Sequence, residues 1–128
     1  MLKFNINIDP EATRQRLRQH VLTYQKKLAF DVLEGIVVMT PVDTGRAKGN
    51  WFVTLVAPAV EYDWAKRDPG GGVTISEGST RIQALSAYGA IYITNNLPYI
   101  VPLEKGHSRQ SPAGMVRLTL DRVTAGLR

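Results

Sequence analysis

The 128-residue sequence contains no cysteine and only two histidines, His20 and His107. The absence of cysteine excludes disulfide bonds and thiolate catalysis, and two histidines alone do not supply the ligand set of a structural zinc site. The sequence contains no run of about 18 apolar residues, which a membrane-spanning helix would need. The opening segment MLKFNINID lacks the basic region, apolar stretch and cleavage site of a signal peptide, so we expect the chain to work where it is made.

Composition and charge indicate an ordinary globular domain. Hydrophobic residues make up 44% and charged residues 21% of the chain, and this length predicts one domain, residues 1–128, around one core. The net charge is +5. Because 11 acidic residues are interspersed among 16 basic ones, the basicity favours nucleic-acid binding only weakly.

Hydrophobic periodicity predicts a strand and then a long helix. Apolar and polar residues alternate over residues 2–8, as in a strand with one buried face. Asp9-Pro10-Glu11 then supplies an N-cap, a proline at the first helical position and an acidic first turn. Thr40-Pro41 ends the helix, since the residue before a proline is disfavoured in the helical region. Apolar residues recur at helical spacing between these signals, at Leu17, Val21, Tyr24, Leu28, Val32, Ile36 and Met39.

The second half of this helix, Ala29–Met39, is apolar on nearly every side. Phe30 and Val37 lie opposite the apolar stripe, so they need a cover, either from the domain itself or from another chain. The helix would be about 45 Å long, whereas a compact sphere formed by a chain of this length has a diameter of about 36 Å. Either the helix bends, for example near Gly35, or one end projects.

The remaining elements are shorter. Residues 51–56 and 90–94 have the β-branched and aromatic content of strands, and residues 80–88 and 114–124 are candidate helices, the latter with Met115, Leu118 and Val123 inward. The segment 58–79 contains DPGGG and shows no clear periodicity. It is predicted to be a hairpin that extends from the body or a loop that orders against a partner.

Motifs for catalysis are absent from the sequence. Gly70-Gly71-Gly72 is not followed by Gly-Lys-Ser/Thr, so it is interpreted as a flexible hairpin tip and not as a phosphate-binding loop. His107-Ser108 lacks the nucleophile elbow of a hydrolase. The loosely grouped acidic residues are Asp43, Glu61, Asp63 and Glu104, and no two of them have a spacing that suggests a shared metal ion. We therefore expect no metal, and in the absence of catalytic motifs we expect no enzymatic activity and no cofactor.

The basic residues of the chain suggest nucleic-acid binding as an alternative function. Phosphate contacts by such residues would give a salt-sensitive affinity without sequence preference. The basic residues are spread around the first helix, and no aromatic platform of the RRM kind accompanies them, so a solvated surface is favoured. They are Arg14, Arg16, Arg18, Lys26 and Lys27 in the helix and Lys105, Arg109, Arg117, Arg122 and Arg128 near the end.

The stretch TPVDTGRAKGNW, Thr40 to Trp51, joins the long helix to the next predicted strand. Pro41 ends the helix, Asp43 can accept hydrogen bonds from the amides that follow it, and Gly45 permits a positive φ. An Asp43–Arg46 contact would lie either inside the turn or across an interface.

Two blocks of the sequence together resemble the neck, or tail-completion, proteins of tailed bacteriophages, a group that includes minor tail protein Z-like proteins. The first block is the long helix that runs into TPVDTGRAKGNW. The second, YITNNLPYIVPLEKGHSRQSPAGMVRLTL (92–120), has the family's strand, tyrosine turn and Glu-x-Gly step before a final helix. The likeness covers roughly three-quarters of the chain, and segment 58–79 lies outside it.

The resemblance implies an α+β fold in which a long N-terminal helix packs on a small, mainly antiparallel sheet with a short C-terminal helix. It also implies a structural virion protein, made in the host cytoplasm, that forms a ring, commonly six-fold, at the head–tail junction. Its partners would be a connector or portal-side protein and a tail-tube or tail-terminator protein, with DNA passing through the channel and no membrane. The interface residues that we predict on this basis are Phe30, Val37, Asp43, Thr44, Gly45, Arg46, Asp68, Gly70, Gly71, Gly72 and Glu104.

Overall fold

A computed structural model describes residues 1–106, 109–110 and 113–127. Within these residues the chain forms five helices and one two-stranded sheet. In chain order they are α1 (Pro10–Met39), α2 (Arg46–Gly49), β1 (Phe52–Thr54), α3 (Gly72–Gln83), β2 (Tyr92–Thr94), α4 (Ile100–Glu104) and α5 (Val116–Ala125).

Helix α1 begins and ends where the sequence predicts. The Asp9 carboxylate accepts hydrogen bonds from the backbone N–H groups of Glu11, at 3.0 Å, and Ala12, at 3.3 Å, so two of the unpaired donors of the first turn are satisfied. Thr40 has extended dihedral angles, with φ −68° and ψ 127°. The proline at position 41 accounts for this, because it disfavours the helical region for its predecessor.

One end of α1 projects from the body. Residues 10–21 are all exposed, and Leu22 is the first buried residue of the helix. Leu17 is 61% exposed, so the predicted apolar stripe faces water in its first half. Helix α1 contacts α5 at Gly35, because a Cβ atom there would lie 2.6 Å from the Cγ2 atom of Thr119 in α5. We call residues 10–21 the projecting half-helix.

Helix α3 covers the buried half of α1 and runs antiparallel to it. Near the start of α3, Gly71 lies against Val37; further along, Gly78 lies against Leu33. At its end, the Gln83 carbonyl accepts a hydrogen bond from the Lys26 ammonium, at 3.0 Å. A glycine at each of the first two contacts lets the backbone of α3 approach the side chains of α1 closely.

The core lies between these two helices, the sheet and α4. Its buried members are Leu33, Ile36, Val37, Ala47, Trp51, Val53, Ile82, Leu97, Ile100 and Met115. Strands β1 and β2 pair antiparallel, with Phe52 opposite Thr94, Val53 opposite Ile93 and Thr54 opposite Tyr92. Both strands are shorter than predicted, but the α+β architecture of a long N-terminal helix, a small antiparallel sheet and a short C-terminal helix is confirmed.

Two predicted elements are wrong. Residues 2–8 form no strand; they are exposed and outside regular structure, because no strand of the described chain lies beside them to pair with. Segment 58–79 is neither a hairpin nor wholly a loop, since α3 begins at Gly72. The separate helix predicted at 80–88 is therefore the last part of α3, which ends at Gln83.

The C-terminal helix is confirmed. Met115, directly before α5, is fully buried, and Leu118 and Val123 are half-buried. Thr119 is also buried and lies between them on the inward face. The predicted pair His107-Ser108 lies outside the described residues.

Candidate interface

The corner between α1 and β1 is closed by buried hydrogen bonds. The Thr40 hydroxyl donates to the Ile36 carbonyl, at 2.6 Å, and accepts from the Trp51 indole N–H, at 2.8 Å. Trp51 belongs to the core, so its only polar group is satisfied by the residue that ends α1. Thr40 and Trp51, the first and last residues of TPVDTGRAKGNW, are thus hydrogen-bonded to each other inside the domain.

Gly45 turns the corner and anchors a second segment on it. Its φ is +86°, as predicted, and its carbonyl accepts from the N–H groups of both Gly49 and Asp68, each at 2.9 Å. A Cβ atom at Gly45 would lie 2.4 Å from the Pro69 nitrogen. Both the dihedral angle and the close approach therefore require glycine, and Gly45 is a structural residue of the corner.

Asn50 fastens the loop after β1 to the corner. It is 0% exposed. Its side-chain amide donates to the carbonyls of Arg46 and Asp63, both at 2.9 Å, and its oxygen accepts from the Asp63 N–H at 2.8 Å. The Asn50 side chain thus binds both the N–H and the C=O of Asp63, as a neighbouring strand's backbone would. These bonds satisfy the hydrogen-bonding groups of a buried polar side chain.

Asn95 and Asn96, directly after β2, act in the same way. The Asn95 amide donates to the Ala47 carbonyl at 2.9 Å, and the Asn96 amide donates to the Ala59 carbonyl at 2.7 Å. The sequence suggested only that these asparagines end a strand. In the structure they tie the α2 turn and the 57–63 loop to the sheet.

Arg46 is held inside the subunit. Its Nε–H donates to the Trp64 carbonyl at 2.6 Å, and its guanidinium lies 4.0 Å from the centroid of the Trp64 ring. Thr44 accepts the backbone N–H of Arg46 at 3.3 Å, so the acceptor in the turn is Thr44 and not Asp43. The predicted Asp43–Arg46 contact is absent from the described residues, where Asp43 is exposed and makes no hydrogen bond or ion pair.

Trp64 is also the centre of an aromatic cluster. Its ring meets Tyr62 edge-on at 6.5 Å between centroids and Tyr99 at 6.1 Å. Trp64 remains 51% exposed, although Arg46 covers one of its faces. An exposed indole on an otherwise fixed loop is typical of a contact surface, because large rigid aromatic side chains contribute most of the energy at protein interfaces.

Asp68 caps the start of α3. It is 8% exposed, and its carboxylate accepts the backbone N–H and the hydroxyl of Thr74, both at 2.8 Å. Burial alone would raise the pKa of Asp68, but the hydrogen bonds from Thr74 and Gly71 and the positive charge of Lys66 outweigh it and lower the pKa below 3.8. The interpretation of Asp68 as a partner-binding residue is therefore wrong, since its carboxylate is used internally.

The three glycines before α3 have different roles. Gly71 has a φ of +78° and is buried against Val37, Gly72 begins the helix, and a Cβ atom at Gly70 would meet open space. The expectation of a flexible hairpin tip is wrong, because the segment is the start of a packed helix. Of the three, Gly70 and Gly72 are exposed and remain accessible to a partner.

Glu104 also proves to be a cap. Its carboxylate accepts the N–H groups of Met115, at 2.8 Å, Val116, at 2.9 Å, and Arg117, at 3.0 Å. Gly114 permits this approach with a φ of +90°, since a Cβ atom there would lie 2.7 Å from Oε1 of Glu104. A negative charge at a helix N-terminus is stabilising, and Glu104 thereby fixes α5 to α4.

Phe30 and Val37 are covered by the chain itself. Val37 is 0% exposed and belongs to the core, and Phe30 is half-buried against it. The expectation that Val37 meets another subunit is wrong, because α3, of which the sequence predicted only the last part, packs on this side of α1.

Exposed apolar side chains are concentrated at the N-terminal end. We call residues 1–9 the N-terminal arm; Phe4 in this arm is 85% exposed. The total accessible surface of 8778 Å² exceeds by about 2,000 Å² that of a compact monomer of this mass. The apolar residues of the arm and of the first half of α1 are Leu2, Phe4, Ile6, Ile8, Leu17, Val21 and Tyr24.

Basic side chains of α1 are partly neutralised by acidic neighbours. Arg14 lies 3.6 Å from Glu11, and Lys27 lies 3.4 Å from Asp31. In the part of the chain that the structure covers, no group of three potential ligands is placed to hold a metal ion. Among the described helices, none has the length and apolarity that crossing a membrane requires.

Comparison of the chain with protein-family models, with curated proteins and with solved structures found no match.

Proposed function

We propose that the chain is a structural virion protein that forms a ring at the head–tail junction of a tailed bacteriophage and acts without catalysis. The proposed partners are further copies of the chain, a connector or portal-side protein, and a tail-tube or tail-terminator protein. Two features of the sequence support the proposal: a long helix that runs into TPVDTGRAKGNW, and the block 92–120.

The observation that carries the proposal is the apolar surface that the chain leaves uncovered. The arm and the projecting half-helix stand away from a body whose core is otherwise closed. The excess surface of about 2,000 Å² is of the size that a stable protein–protein interface buries, about 1,600 Å² in total. A subunit that completes its structure in an assembly would have such a surface, whereas a monomeric enzyme would not need it.

Deleting the gene for this chain from the phage that encodes it tests the proposal. We expect complete heads and complete tails to accumulate separately in the lysate, as seen by electron microscopy. Addition of the purified, folded chain should join them, while the heat-unfolded chain serves as the control. Intact particles in the deletion lysate would overturn the proposal.

Binding to nucleic acid is the second candidate. It is favoured by five basic residues against one acidic residue in the stretch from Pro10 to Leu28, which is exposed or half-exposed except at Leu22. Phosphate contacts weaken steeply as salt rises. Retention of a duplex oligonucleotide at about 0.3 M salt, measured by fluorescence anisotropy, would favour this function, whereas loss of binding by that concentration would leave the structural proposal as the better account.

A further inference from the structure

A groove runs along the outer side of β1. It has a volume of about 680 Å³ and lies between Trp51–Thr54, the loop 59–63 and the outward side of α3 at residues 76–81. None of the β2 residues lines it, so the groove is on the side of β1 that β2 does not occupy. Its size is within the range of sites that bind ligands or peptide segments.

Strand β1, which lines this groove, has an unpaired edge. In the described chain, the backbone of Phe52–Thr54 forms hydrogen bonds only with β2. An open edge offers N–H and C=O groups that can pair with a further strand. Addition of an extended segment to such an edge is a common mode of peptide recognition, in which pockets take alternate side chains.

The N-terminal arm has the pattern that this edge accepts. Its apolar residues alternate with polar ones, and every residue from 1 to 9 is exposed and outside regular structure. Lys3 is the only charged residue within 2–8, and the groove is lined by the acidic residues Glu61, Asp63 and Glu77 together with one basic residue, Arg81. The alternation of the arm suits a strand edge, and its positive charge suits the acidic excess of the groove.

The arm cannot fill the groove of its own subunit. Lys26 contacts Gln83 at the end of α3, and the helix from Asp9 to Lys26 spans about 25 Å. Fully extended, residues 2–8 span about 23 Å. Only the first residues of the arm would arrive at Gln83, which lies just outside the groove. An arm that occupies the groove must therefore come from a different copy.

We propose that the N-terminal arm of one copy pairs with the free edge of β1 in the next copy and extends its sheet to three strands. Phe4 and Ile6 enter the groove beside α3, while Asn5 and Asn7 face outward. The inference deepens the proposed ring and rests on it, since each copy gives one arm and receives another. Head-to-tail exchange of this kind closes into a ring when the rotation between copies is suitable.

Disulfide trapping tests the contact directly, because the chain has no cysteine of its own. The variants Ile6→Cys and Ser76→Cys are purified separately, mixed and oxidised. We expect a cross-linked dimer that forms only in the mixture. Ser86→Cys, an exposed position outside the groove, is the matched control and should not cross-link with Ile6→Cys. Equal cross-linking at positions 76 and 86 would overturn the inference.

Phe4→Asp provides a second measurement, with Asn5→Asp as its control of equal charge on the opposite face. We expect self-association, measured by analytical ultracentrifugation, to weaken about 100-fold for Phe4→Asp and to change little for Asn5→Asp. Circular dichroism should show both variants folded, since positions 4 and 5 are exposed and lie outside the core. If Phe4→Asp oligomerises normally, the arm exchange is refuted.

The two proposals can fail separately. A Phe4→Asp chain that still assembles overturns the arm exchange and leaves the virion function to be judged by head–tail joining. Normal joining without the chain overturns the virion function, while the cross-link between positions 6 and 76 still decides whether arms are exchanged.

Discussion

Replacement of Glu104 by alanine should destabilise the domain strongly, although the residue is only partly buried. Its carboxylate is the acceptor for three consecutive backbone N–H groups at the start of α5. Loss of a one-bond N-cap typically costs about 1 kcal/mol, and loss of the charge near the helix dipole costs about 0.3–1 kcal/mol more. Because three donors lose their partner here, we expect a loss of about 3 kcal/mol.

Urea denaturation followed by circular dichroism measures this loss, and the slope of the transition should stay unchanged. Glu34→Ala is the control, because Glu34 is exposed in α1 and a surface substitution changes stability by less than about 0.5 kcal/mol. Glu104→Gln retains one carbonyl acceptor and should lie between the two. If Glu104→Ala behaves like Glu34→Ala, the cap contributes nothing and the inference about how α5 is fixed is wrong.

Three further predictions follow from the corner and the start of α3. Asp43→Ala should change the melting temperature by no more than a surface substitution does, because Asp43 has no partner in the described chain, yet it should impair head–tail joining if the corner faces a neighbour. Gly71→Ala should cost about 1–3 kcal/mol in thermal unfolding from its left-handed φ and its contact with Val37, whereas Gly70→Ala should be nearly neutral. The pKa of Asp68 is lowered in the folded state, so the stability that its carboxylate contributes is present above pH 3.8 and is lost as the pH falls through the lowered pKa. Asp68→Asn should therefore reduce the dependence of stability on acid pH, measured as the melting temperature over a series of pH values.

The long helix was predictable because several local signals agree on it. Asp9 and Pro10 mark its start, and Thr40-Pro41 marks its end, so no tertiary contact is needed to locate either boundary. Gly45 was predictable for the same reason, since the turn needs a positive φ that glycine tolerates. The apolar character of Ala29–Met39 indicated that this half of the helix is covered, but it did not reveal that α3 provides the cover.

Helix α3 was missed because its sequence, GVTISEGSTRIQ, is poor in strong helix formers. Its stability comes from contacts outside the helix: Gly78 packs on Leu33, which is distant in the sequence, and Asp68, which precedes the helix, binds Thr74. The caps and ties of Glu104 and Asn50 were missed for a related reason. A carboxylate or amide that binds backbone groups 11 to 13 residues away has no signature in local sequence.

The projecting half-helix has a consequence for the order of assembly. Residues 10–21 receive no support from the body, and isolated helices shorter than about 12–15 residues are marginal in water. Their amide hydrogens should therefore exchange with solvent by local fraying, long before those at Leu33, which exchange only when the whole domain opens. Docking of these turns against a neighbour must first restrict their backbone, at about 1–2 kcal/mol per residue. In the proposed ring, the entropic cost of ordering these turns would oppose premature association of free subunits, and a surface that already holds the first subunit in place would lower that cost for the next.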